Sequence, residues 1–161
     1  MRRLFGFPHP VDEVSARLVA GGVVVLGLLA ALTLHPLVVG VLAYGFVARV
    51  LTGPKLSPLG RLVTEVVRPR LPVAPRLVAG PPKRFAQGVG AAFSCTALAL
   101  VVAGADGIAR VVLLVLVAFA SLEAFLAFCT GCIVFGWLMK AGLVPDEVCA
   151  ECADLSLRRG P

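Results

Sequence analysis

Long runs of Leu, Val and Ala fill most of this chain, and none of them alternates with period two. A helix needs roughly 20 mostly apolar residues to cross about 30 Å of hydrocarbon. In lipid, backbone polar groups must be paired within the segment or around a closed barrel. Barrel strands alternate apolar and polar residues, so helices are the remaining solution. Composition agrees: of 161 residues 59% are hydrophobic and 15% charged, with a mean hydropathy of +0.98. Soluble domains are about half apolar and about a quarter charged. The expected fold class is an all-α membrane protein, a four-transmembrane-helix bundle.

Residues 1–16 form a polar head whose Pro8 and Pro10 keep a helix from starting before Val11. The first span is expected over about 17–34. Arg2 and Arg3 ahead of an apolar stretch also suit a cleaved signal peptide, but Asp12, Glu13 and the long leading segment argue against one. His35-Pro36 ends this span and permits a tight return. The second span, about 37–51, is short and carries Arg49 one turn from its end, where a long side chain can snorkel to the headgroups. The third, about 85–103, holds Cys95, read as a small apolar residue packed between helices. After a turn over residues 104–107, apolar sequence continues from 108 to 139. That is roughly 48 Å of helix, too long for an untilted crossing. The last helix is therefore expected to be tilted or broken, with Thr130-Gly131 as the break.

Residues 52–84 differ from everything around them, carrying seven prolines and seven Lys or Arg residues. Leu59 to Val67 reads as a short amphipathic helix lying on the membrane surface, with Leu59, Leu62, Val63 and Val66 on its apolar side. The formal net charge of +6 is explained by topology. The basic residues cluster between spans, while the turns at 33–36 and 104–107 have no Lys or Arg. Basic short loops stay inside. A plasma (cell inner) membrane protein is expected, with loop 52–84, the N-terminal segment 1–16 and the tail 143–161 all cytoplasmic and the transmembrane domain over 17–142. A nucleic-acid module would need a soluble core that the chain lacks, so the bilayer is the expected partner.

Two Cys-x-x-Cys pairs, Cys129–Cys132 and Cys149–Cys152, carry the chemistry. Thiols three residues apart can approach disulfide geometry in a helical turn or tight loop. In the first reading they perform thiol–disulfide relay or sulfane-sulfur transfer. A helix beginning near Cys132 would place Cys129 at its positive end and favour the thiolate. Cys129 is then the nucleophile, Cys132 its resolving partner, and Cys149 and Cys152 the exchanging pair, whose neighbours Glu147 and Glu151 raise thiol pKa. In a second reading Cys-x2-Cys-x16-Cys-x2-Cys binds zinc or iron through four thiolates, as a metal-stabilised scaffold without catalysis. In the third, the thiols line the path of a small sulfur-containing anion drawn in by Arg49, Lys55, Lys83 and Arg84; those cations equally suit lipid headgroups. Whether the protein is an enzyme stays open on these grounds. Glu123, a carboxylate within an apolar helix, should face the bundle. It is either a neutral group bonded to Ser121 or Thr96, a proton acceptor for the thiols, or a counter-ion for Arg49.

Five stretches carry a resemblance: Phe7 to Glu13, Arg49 to Lys55, Pro82 to Gln87, Phe128-Cys129-Thr130-Gly131-Cys132, and Cys149-Ala150-Glu151-Cys152. In this order they resemble an uncharacterised bacterial integral-membrane family, common in actinobacteria, that is a domain of unknown function. The resemblance implies a four-helix membrane protein with a thioredoxin-like or sulfurtransferase partner. A thiol pair in such a bundle is also similar to quinone-linked disulfide-forming enzymes, whose cysteines face the oxidising side. Here both pairs are expected near the cytoplasm, where thiols are kept reduced. Relay or sulfur transfer fits that side better than disulfide generation.

Overall fold

A computed structural model of the chain describes residues 7–149. It is all-helical apart from one antiparallel pairing of β1 (Val11–Asp12) with β2 (Leu77–Val78). The principal helices are α1 (Glu13–Thr33), α2 (Pro36–Thr52), the short α3 (Pro58–Arg61), α4 (Gly80–Val102), α5 (Asp106–Leu126) and α6 (Thr130–Lys140).

Local sequence sets the ends of these helices. Asp12 caps α1, accepting from the Val14 amide at 3.3 Å. Leu34 closes α1 in a left-handed conformation, its N–H on the Ala30 carbonyl. His35 then caps α2 through Nδ1, with Pro36 in the first turn. Gly53, at φ +65°, ends α2 where Pro8 packs too closely for any side chain.

α1 lies along α5 and α2 along α4, with α4 against α5 and α1 against α2, so the four long helices close into a ring. Small residues hold the interior: Ala30, Ala97 and Ala109 are fully buried, and Gly90 accommodates the Phe46 ring. Such residues let helix backbones approach closely in lipid. Leu42, Leu113 and Phe46 fill the space between them, while other large apolar side chains point outward, with Leu32, Leu37, Val102 and Phe125 more than two-thirds exposed. Apolar helices whose outer faces are also apolar belong in a bilayer. α1, α4 and α5 are long and apolar enough to cross it; α2 has 17 residues and is shorter.

The apolar stretch 108–139 is two helices, α5 and α6. The break falls three residues earlier than the Thr130-Gly131 step expected of it. Ala127 turns left-handed at φ 55°, the Phe128 N–H bonds the Leu122 carbonyl, and Cys129 starts the next helix. The surface helix expected over 59–67 is α3 followed by a π-helical turn (Leu62–Val67) and a 3₁₀ turn (Arg68–Arg70). Of its apolar side, Val63 is buried while Leu62 and Val66 are exposed.

Candidate functional site: a thiol pair beside buried charges

Chain direction brings one end of the ring together from the start of α1, the end of α2, the start of α4 and the end of α5. Arg17 of α1 donates to the Ala124 and Phe125 carbonyls at 3.1 and 3.2 Å, covering the open end of α5. The segment before α1 is strapped to the chain that precedes α4: Asp12 pairs with Arg68, and Glu13 with Arg76 at 3.0 Å. Burial alone would raise the Asp12 pKa. Hydrogen bonds from Arg68, Ser15 and the Arg76 and Val14 amides outweigh it and hold the carboxyl below its ordinary value.

α6 packs back along the first turns of α4, towards Ala79. The glycine of the first cysteine pair makes that possible: a Cβ on Gly131 would lie 2.7 Å from Ala86 Cα. Gly131 therefore serves close approach. Phe135 continues the contact against Phe85, ring centroids 5.7 Å apart.

Cys129 and Cys132 form a disulfide. Cys129 is the N-cap of α6, and its Sγ accepts from the Cys132 amide at 3.3 Å. A helix N-terminus favours negative charge, so this is the position where a released thiolate is best held. Cys129 lines a cavity of about 260 Å³ walled by all four long helices and α6, with Phe46, Phe93 and Phe119 on its sides and Gln87, Glu123 and Thr130 as its polar groups.

Glu123 bonds neither Ser121, whose Oγ donates to the Val117 carbonyl, nor Arg49. Its partner is Lys83, Nζ to Oε1 2.5 Å, with side chains only 10% and 14% exposed. Lys83 sits in the second turn of α4, where the helix dipole disfavours a cation; the carboxylate offsets that. Lys83 is thus an internal ion-pair member and not the surface cation suggested by its sequence context. Arg49 does not snorkel: 5% exposed, it donates Nε to Gln87 Oε1 at 2.7 Å and Nη1 to Ser57 Oγ at 3.0 Å, and lies over the Phe46 ring. Arg84 is exposed and donates to the Val50 carbonyl, and Lys55 is exposed.

Among the described residues, Cys149 is not on the wall of the cavity that Cys129 lines. Cys149 is buried against Phe135 and Met139 and is itself disulfide-bonded. Those contacts lie six to ten residues along α6 from Cys129, roughly 9–15 Å at helical rise. Cys152 lies outside the described residues. Among the described residues, no group of three or more His, Cys, Asp or Glu gathers to hold a metal ion. Cys95, expected at a helix interface, is an exposed free thiol on the outer face of α4.

Gln87, Ser57 and Thr130 did not stand out by residue type. One signal was available: Lys83, Gln87, Gly90 and Ser94 follow helical spacing on one face of an otherwise apolar helix.

Fold and site together define a helical protein with three helices long and apolar enough to span a membrane and a helix-capping cysteine pair next to buried charges. The family described as a domain of unknown function (DUF4395) matches residues 11–140, and the chain belongs to it. That match includes the first cysteine pair and stops before the second. No curated protein and no solved structure matches the chain.

Proposed function

We propose that this protein is a four-span plasma-membrane thiol protein, both termini cytoplasmic, that carries out thiol–disulfide relay or sulfane-sulfur transfer at the cytoplasmic face. α2 is the fourth span, and the positive-inside rule sets the orientation: of the Lys and Arg in residues 7–149, only Arg110 lies at the far end. The observation that carries the reading is the Cys129–Cys132 disulfide at the start of α6, on the wall of a cavity that Glu123 shares.

In the reduced state the Cys129 thiolate, held by the α6 N-terminus and the Cys132 amide, attacks a sulfur of a thioredoxin-like or sulfurtransferase partner. A partner disulfide gives a Cys129 mixed disulfide; a partner persulfide gives a Cys129 persulfide. Cys132 resolves the former by displacing the partner thiolate, which re-forms the Cys129–Cys132 bond. Glu123 accepts the proton that Cys132 gives up, with Lys83 as its counter-charge. Cys149 and Cys152 are the exchanging pair, and the distance of the Cys149 contacts along α6 from Cys129 means that exchange requires Cys149 to move.

After reduction, Cys129 is expected to react with a maleimide at neutral pH about tenfold faster than Cys95, in line with the lowered pKa of N-terminal cysteines. Cys132→Ser should then trap a mixed disulfide through Cys129. Equal, slow alkylation of Cys129 and Cys95 would sink the relay. Transport of a small sulfur-containing anion is the second reading, favoured by buried Arg49; labelled thiosulfate entering vesicles, slowed in Cys129→Ser, is its test. A zinc or iron scaffold would require the two pairs to converge, and about one metal per chain, lost on cysteine replacement, would show it.

A further inference from the structure

Behind the thiol cavity lies a second one, of about 240 Å³, under the segment that precedes α1. Gln87 and Val19 line both cavities, while Lys83 lines the second and Glu123 the first. The partition is therefore one amide, one Val side chain and one ion pair. Arg49 also lines the second cavity. Its Nη2 is buried without any acceptor, and a buried donor left unpaired is costly.

The charges around this cavity do not balance. Arg49, Lys83 and Arg68 are cations; Glu123 and Asp12 are the carboxylates. Asp12 is fully engaged by Arg68, Ser15 and two amides. Glu123 is taken by Lys83. Arg49 hydrogen-bonds only neutral groups, Gln87 and Ser57, and the one carboxylate that acts on it through space, Glu123, is already bonded to Lys83. A charge inside a membrane protein is paired or functional, and a guanidinium fork suits planar or tetrahedral oxyanions.

We infer that this second cavity is a binding site for a small sulfur-containing oxyanion, with Arg49 as its principal ligand and Lys83 as the second cation. The inference rests on the relay reading for its choice of sulfur. The site is separated from the thiol cavity by Gln87, Val19 and the Lys83–Glu123 pair, so an anion carrying a sulfane sulfur is held in the cavity next to the one Cys129 lines. The volume suits a small anion and excludes a nucleotide. Ser15 and Thr64 are also on the wall, but their hydroxyl protons are given to Asp12 and to the Gly60 carbonyl, so the cations carry the binding. The phosphate of an anionic lipid offers the same oxyanion chemistry, and the experiment separates the two sources.

Full-length protein in a neutral detergent, free of anionic lipid, is titrated with thiosulfate, sulfate and phosphate, with binding followed by calorimetry. Thiosulfate is expected to bind, at least tenfold more weakly in Arg49→Gln, with Arg49→Lys intermediate because it keeps charge without the fork. As Arg49→Gln could unfold the bundle, a second measurement uses unaltered protein: thiosulfate should slow phenylglyoxal modification of Arg49 at least threefold relative to Arg61. No thiosulfate binding, or protection of Arg61 equal to that of Arg49, overturns the inference. So does protection of Arg49 by phosphatidylglycerol vesicles but not by thiosulfate, since the site is then a headgroup site. Fast Cys129 alkylation without thiosulfate binding would leave the relay standing and remove this site. Thiosulfate binding with an inert Cys129 would do the reverse.

Discussion

The two ends of the α1–α5 pair use one device and differ in everything around it. At one end Arg17 of α1 covers the last carbonyls of α5; at the other Arg110 of α5 covers the Ala31 carbonyl of α1. An antiparallel pair thus exchanges arginines, each satisfying the open end of its partner. The Arg110 end adds only two tight turns. The Arg17 end adds buried Lys83, Glu123 and Arg49, a strapped N-terminal segment, a broken helix and a disulfide. A bundle needs caps, but it does not need buried charges, which are weak contributors to stability even when well paired. The excess at one end is therefore what the proposed function takes as its working end.

The largest test of that contrast is removal of one partner of the buried pair. Glu123→Ala leaves Lys83 charged and unpaired in the bundle, and should cost about 3–5 kcal/mol. The double replacement Lys83→Met with Glu123→Leu should recover most of this, because a shape-matched apolar pair is often neutral or better. Thermal unfolding in detergent reads both. If Glu123→Ala costs no more than a surface substitution, the pair is not buried as described, and the contrast between the ends fails.

The same contrast explains what the sequence could reveal. Apolar runs and their turns are properties of single segments, so the long helices were readable within a few residues: His35-Pro36 and the 104–107 turn declare themselves. The break before α6 was displaced because it is made by Ala127, a residue with no turn signature, in a left-handed conformation. Gly131, the residue that seemed to offer the break, is required by the approach of Ala86, a contact from 45 positions away. The direct partners of Glu123 and Arg49, Lys83 for the one and Gln87 and Ser57 for the other, were not readable for the same reason. Which cation meets a carboxylate depends on helix neighbours, and hydropathy carries no information about these. The face of Lys83, Gln87, Gly90 and Ser94 on α4 was the one local clue to where the interior lay.

Next in size is the strap around Asp12. Its carboxyl titrates below the ordinary aspartate value, since hydrogen bonds to Arg68, Ser15 and two amides overcome the opposing effect of burial. A depressed carboxyl pKa adds stability that is fully present above the unfolded value, near 3.9, and lost as pH falls through the lower folded value. Stability should thus decline below about pH 4. Asp12→Ala should cost about 1–2 kcal/mol at pH 7, combining a lost cap with a lost partner for Arg68. It should also show less of the acid decline. An Asp12→Ala melt that follows the unaltered protein's acid limb would mean that another carboxylate sets it.

The smallest effect is expected where the architecture is barest. Arg110 is exposed and donates Nε to the Ala31 carbonyl at 3.1 Å. Arg17 is half-buried and donates two such hydrogen bonds. Cations at helix C-termini contribute about 0.3–1 kcal/mol when exposed and up to about 2 kcal/mol when partly buried. Arg110→Gln should therefore lower stability by about 0.5 kcal/mol, and Arg17→Gln by two to three times as much. Neither value includes the buried-charge penalty, so both should stay well below Glu123→Ala. A larger loss for Arg110→Gln than for Arg17→Gln would show that the plain end carries hidden interactions, and the working end could then no longer be identified by its excess of charge.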